Sequence, residues 1–138
     1  MFHLLRERLA SHQQLVLPPP CFLDMEAQVV DFVDGLSLTV RFPVLPRYRN
    51  PLGFMQGGFI AAALDNTIGP FSYLVAPPSV TTQMTLSYLR PATPEMAHLE
   101  CTARIVEKAG RRWVFSGVAR GPGGKALVLA QAEAQVLA

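Results

Sequence analysis

One segment of this chain, Gln56 to about Ile68, reads as a helix with no polar side. Phe59, Ile60, Ala61, Ala62, Ala63 and Leu64 place apolar groups all round the helix axis, the pattern of a helix enclosed by protein rather than laid on a surface. Such a helix needs a wrapping layer. Gly69-Pro70 predicts its end or a kink, because proline lacks an N–H and its ring meets the carbonyl four residues back.

The rest of the sequence supplies segments that alternate with a period near two. In AQVVDFV and LSLTVRF the apolar positions are Val29 and Val33, then Leu36, Leu38, Val40 and Phe42, with Asp34-Gly35 between them. That dipeptide predicts a hairpin closed by a type I′ turn, which needs positive φ at both central residues. After Pro77-Pro78, VTTQMTLSYLR is expected to turn Val80, Thr82, Met84, Leu86 and Tyr88 to one face and Thr81, Gln83, Thr85 and Ser87 to the other. From Leu99 to Val106, the inward positions are Leu99, Cys101, Ala103 and Ile105. RRWVFSGVAR and ALVLAQAEAQVL follow, across turns at Lys108 to Gly110 and at GPGGK. Residues 3 to 14 predict a short amphipathic helix that Leu17 to Pro20 ends, and VLPRYRNPLGFM reads as loop. A hairpin, one buried helix and four further strands make an α+β plan, an antiparallel sheet wrapped round a helix.

The chain has 138 residues, the size of one domain, with residues 1–20 as a helical and proline-rich lead-in. Half of the residues are hydrophobic and 16% charged, enough to bury a core and an intersubunit surface as well. A net charge of +2 is too small for a nucleic-acid partner. Arg6, Glu7 and Arg8 interrupt the first apolar stretch, so it reads as neither signal peptide nor membrane span, and the expected location is the cytoplasm. Cys21 and Cys101 are expected as reduced thiols, and His3, His12 and His98 lack metal-ligand spacing, so neither a metal nor a redox cofactor is expected.

Chemistry is concentrated in NPLGFMQGGFIAAALDN, Asn50 to Asn66. Gly57 and Gly58 open the helix, where unpaired N–H groups and a partial positive charge can polarise a carbonyl; they could equally serve close helix-to-sheet packing. Asp65 is the one acidic residue between Asp34 and Glu95. A carboxylate in so apolar a run must be paired, for example with Arg90, or functional. Lys108, Arg111 and Arg112 around a strand turn, with Arg90 at the end of another strand, are candidates for a phosphate-bearing ligand or else an ordinary solvated hairpin tip. Trp113 and Phe115 read as core.

NPLGFMQGG followed by FIAAALDN resembles the signature of the PaaI-like branch of hotdog-fold thioesterases, in which Asn, Gly, His-Gly-Gly and then Asp or Glu occur at this spacing. SYLRPA is similar to the strand end that follows in that family, and the likeness runs from about Val29 to Leu137. The resemblance implies a hotdog fold and hydrolysis of acyl-CoA. It makes Asp65 the general base or nucleophile, the Gly57 N–H the donor to the thioester oxygen, and Asn50 a residue that positions substrate or water. Thr81 falls where the family often has a Ser or Thr holding the lytic water. Gln56 stands where the motif usually has His; it can donate a hydrogen bond but cannot shuttle a proton near neutral pH. Thioester hydrolysis can proceed with one carboxylate and one oxyanion donor, whereas dehydratases of this fold need the His.

Eight residues along one helix separate Gly57 from Asp65 by roughly 12 Å, too far for one thioester to meet both. Two helices antiparallel across a two-fold axis would solve this, so a homo-oligomer, a dimer or a dimer of dimers, is expected. The alternatives are a hotdog domain that binds acyl-CoA or lipid without turnover, and a structural oligomeric domain in which Asp65 is paired and inaccessible.

Overall fold

The computed structural model describes residues 1–11 and 14–137. Six strands, β1 (Gln28–Val33), β2 (Ser37–Pro43), β3 (Ser79–Tyr88), β4 (His98–Ala109), β5 (Arg112–Arg120) and β6 (Ala126–Val136), form one sheet. Their order is β1-β2-β4-β5-β6-β3, and every neighbouring pair is antiparallel. The long helix α3 (Gly57–Val75) lies in the concave side of this sheet. Two short helices, α1 (Phe2–Arg8) and α2 (Pro20–Asp24), precede the sheet, and α1 packs on α3. The helix expected over residues 3 to 14 is thus confined to Phe2–Arg8, and its expected positions 12 and 13 fall outside the described residues.

The alternation that indicates strands also builds the core. Leu38, Val40 and Phe42 of β2, Leu99, Cys101 and Ala103 of β4, and Phe115 of β5 are fully buried against Ala63, Leu64, Ile68 and Phe71 of α3. Gly117 of β5 lets the helix come this close, since a Cβ there would lie 2.9 Å from Ile68 Cδ1. Trp113 is half-buried and stacks on Phe115.

Four expectations need correction. The hairpin turn is not type I′: Gly35 alone has positive φ, and the connection is three residues, Asp34 to Leu36, closed by Leu36 N–H donating to Val33 O. Leu36 and Val33 are consequently exposed, and Phe32 takes the packed position in β1. Second, α3 does not end at Gly69-Pro70 but runs on to Val75 with Pro70 inside it. Pro70 costs about 3 kcal/mol and leaves the Asn66 carbonyl without its helical donor. Continuing the helix buries Phe71 and Leu74, each worth roughly 1.5–3 kcal/mol, so packing outweighs the local penalty.

Third, α3 is not enclosed all round. Gly58, Ala61, Ala62, Asp65, Asn66 and Gly69 form a partly or fully exposed stripe at helical spacing. Fourth, β3 does not keep one alternation along its length. Thr81 pairs with Ala134 but Gln83 pairs with Glu133, so Thr82 is an extra residue, a bulge. Beyond it Met84, Leu86 and Tyr88 face the helix side as expected, opposite Ala132, Ala130 and Val128. Before it Ser79 and Thr81 face that side, while Val80 is turned outward and is 47% exposed.

Candidate active site

The two ends of α3 line two different cavities. The amino-terminal end opens on one of about 280 Å³, bordered by Asn50, Gly57, Tyr88 and Arg90. A second, of about 300 Å³, lies farther along the helix and is bordered by Asp65, Asn66, Thr81 and Cys21 together with apolar residues of the amino-terminal segment. Within one chain, therefore, Gly57 and Asp65 do not share a cavity.

At the first cavity the chain is held by a tight loop. Asn50 Oδ1 accepts the N–H groups of Leu52 at 2.9 Å and Phe54 at 3.1 Å, and the Asn50 N–H donates to Phe54 O at 2.7 Å. The Gln56 N–H then donates to Tyr48 O at 2.8 Å, which fixes the entry to α3. Asn50 thus shapes the approach to Gly57, its carbonyl oxygen being spent on its own loop. Gln56 is the N-cap of α3, but its exposed side chain makes no capping hydrogen bond. Gly57 and Gly58 occupy the first turn, where backbone N–H groups have no intrahelical acceptor.

Tyr88 explains why residue 57 is glycine. Its hydroxyl donates to Gly57 O at 2.8 Å, and a Cβ at 57 would lie 3.0 Å from its ring. Gly58 has no such neighbour, so close packing accounts for the first glycine and not the second. Tyr88 was visible in the sequence only as an inward strand residue, because its contact with Gly57 joins positions 31 apart.

Asp65 is exposed and makes no ion pair or side-chain hydrogen bond among the described residues. Although water reaches it, the surrounding protein removes enough solvation to push its carboxyl pKa above the usual value. Pairing with Arg90 does not occur: Arg90 donates to Ala126 O at 2.6 Å and borders the Gly57 cavity. Thr81 reaches the Asp65 cavity because of the bulge at Thr82, which turns it to the helix side. Asn66, next to Asp65, is anchored by Cys21 Sγ donating to its Oδ1 and by its amide donating to Met25 Sδ, both at 3.4 Å.

The basic hairpin lies toward the Thr81 end of the sheet, since Trp113 pairs with Ala134, which also pairs with Thr81. Each of its cations has a partner. Arg112 pairs with Glu133 at 2.6 Å, Arg111 donates to Val136 O at 2.9 Å, and Lys108 Nζ stands 4.7 Å from the centre of the Trp113 ring.

A helix cradled by a six-stranded antiparallel sheet in this order defines the hotdog fold. The sequence matches the thioesterase superfamily over residues 52–127, and the chain belongs to that family. Among curated proteins none matches it. Its fold is similar to that of the E. coli PaaI protein from the phenylacetic acid degradation operon, with a TM-score of 0.79, 16% identity, and coverage of 97% of this chain and 93% of that one. A thioesterase family protein from Silicibacter pomeroyi superposes with a TM-score of 0.80 at 17% identity, covering 99% and 98%. The smu.793 protein from Streptococcus mutans, bound to acetyl CoA, gives 0.75 at 21% identity, covering 91% and 94%.

Proposed function

We propose that this protein hydrolyses acyl-CoA thioesters to the free acid and CoA, in the manner of the PaaI-like branch. The observation that carries the reading is Asp65 on the partly exposed stripe of α3, an accessible carboxylate with a raised pKa and no side-chain partner among the described residues, sharing a cavity with Thr81 of β3. A carboxylate kept paired and out of reach would have suited a structural domain, and a passive lipid pocket gains nothing from one.

In the proposed reaction Asp65 takes a proton from water held by Thr81 as the water oxygen bonds to the thioester carbon. The charge on the carbonyl oxygen is met by the N–H at the start of α3, Gly57, with Gly58 beside it. The tetrahedral species then expels CoA thiolate, which takes up the proton that Asp65 accepted and so restores the carboxylate. Gln56 and Asn50 border the approach to this oxygen, and Arg90, Lys108, Arg111 and Arg112 are the proposed partners of the CoA phosphates. Acetyl CoA in the S. mutans neighbour supports a CoA ester as ligand.

The separation of the two cavities supports a site completed by a second copy of the chain, with Gly57 of one subunit facing Asp65 of the other. Strand β3 is an open edge of the sheet, and Val80 and Tyr88 on it and Leu89 just past its end are exposed, which suits pairing across a two-fold axis. The test mixes an Asp65→Asn chain with a Gly57→Phe chain under conditions that exchange subunits. Hybrid dimers are expected to regain one working site from two inactive parents. A mixture that stays inactive after proven exchange refutes the shared site.

A further inference from the structure

We propose that the amino-terminal segment selects the acyl group: its residues between 2 and 9 and between 15 and 19 roof an apolar pocket beside Asp65 that takes a medium-length acyl chain of about eight to ten carbons. The proposal rests on the hydrolase reading above and adds to it the substrate class and the element that sets it. Phe2, Leu5, Leu9, Leu15 and Leu17 line one side of the 300 Å³ cavity, and Pro70 and Tyr73 of α3 line the other. Its polar members, Asp65, Asn66, Thr81 and Cys21, are the residues that would surround a reacting carbonyl and its water. Apart from the Tyr73 hydroxyl, the remaining side chains of the lining are hydrocarbon and aromatic ring, which fits the tail.

Size gives the chain length. An apolar cavity of about 150 Å³ holds one benzene ring, so about twice that volume holds roughly eight to ten carbons once the open mouth is discounted. The roof lies outside residues 52–127, the part matched to the superfamily, while the facing wall, Pro70 and Tyr73, lies within it on the helix that carries Asp65.

Gly69 gives a way to test this. It borders the cavity four residues after Asp65 on the same face of α3, and a Cβ there would meet nothing within 4 Å. A methyl group at 69 therefore meets no neighbour, and a larger side chain extends from that open position toward the pocket that residue 69 borders. The experiment measures kcat/KM for acetyl-, butanoyl-, octanoyl-, dodecanoyl- and hexadecanoyl-CoA with the wild type, Gly69→Phe, Gly69→Ala and the roof variant Leu15→Trp.

The wild type should favour octanoyl-CoA, because each methylene buried raises kcat/KM about fourfold until the pocket is full. Gly69→Phe and Leu15→Trp should lower the octanoyl-to-acetyl ratio about tenfold or more. Gly69→Ala, which adds one methyl group and favours the helix, should shift it the same way by less, and it keeps the test decisive if the bulkier chains do not fold. An active wild type with a ratio unchanged in the folded variants overturns the pocket and leaves the hydrolase reading intact. A wild type that cleaves none of the esters overturns both.

Discussion

Replacing Gly57 with alanine separates the packing role of this glycine from its chemical one. The new methyl would lie 3.0 Å from Tyr88 Cε1, 3.1 Å from Cζ and 3.2 Å from the hydroxyl oxygen. Tyr88 is about half exposed, so its ring can move by a few tenths of an ångström, at the expense of its 2.8 Å bond to Gly57 O. That bond is worth about 1 kcal/mol net, and alanine in a helix recovers up to about 1 kcal/mol over glycine. Stability should therefore change by less than about 1 kcal/mol. Turnover should suffer far more, since an oxyanion donor works only within about 3 Å of the developing charge and its full loss costs roughly 10²- to 10³-fold. We expect kcat/KM to fall about tenfold or more, a barrier increase of about 1.4 kcal/mol. The assay is loss of thioester ultraviolet absorbance, chosen because Cys21 borders the Asp65 cavity and would react with a thiol reporter. Chemical denaturation of the same samples gives the stability. Tyr88→Phe removes the same hydrogen bond without the methyl, so its loss of activity measures the bond alone. A Gly57→Ala protein with wild-type stability and kcat/KM within about twofold of wild type would refute the assignment of this N–H.

Asp65→Asn is expected to lower kcat about 10²-fold or more with the fold retained, and comparable turnover in the two proteins would remove Asp65 from the mechanism. The working carboxylate must be ionised, so wild-type kcat should rise with pH through a midpoint above the usual aspartate value; a midpoint at or below that value contradicts the burial around Asp65. A folded-state pKa raised above the unfolded one gives stability that is present in acid and lost as pH rises through the folded value, so Asp65→Asn should gain thermal stability over wild type near neutral pH and lose that advantage in acid. Cys101 is buried with its thiol pushed up to about 12, whereas Cys21 is exposed, so a disulfide reagent should titrate one thiol in the native protein and two after unfolding; two in the native state would mean that β4 opens readily.

The sequence carried the fold plainly because α3 is unlike everything around it and because β2, β5 and β4 as far as Ile105 alternate, the bulge at Val106 coming only near the far end of β4. Legibility failed where a tertiary contact overrides a local rule. Pro70 inside α3 is tolerated for the sake of Phe71 and Leu74, whose partners lie in distant strands. The bulge at Thr82 has no turn residue to mark it, so Thr81 looked like an outward residue by period while the family likeness placed it at the site. Asn50, Gly57, Asp65 and Thr81 were all recognisable as candidates, but one chain brings them together only in two groups. The partners taken by Arg90, Arg111 and Arg112 could not be read from spacing, because two of them are backbone carbonyls.

The single extra residue in β3 acts as a phase shifter. Residues 79–81 and 83–88 each follow the two-residue repeat of a strand, but out of step, so one edge of the sheet obeys two substitution grammars divided at Thr82. Losing that residue would bring the halves into step, turning Thr81 away from Asp65 and sending Val80 inward. Length at this point is therefore under tighter constraint than identity: the exposed side chain of residue 82 contributes one hydrogen bond of 3.3 Å, to Glu133 O, whereas its presence sets the phase of the strand.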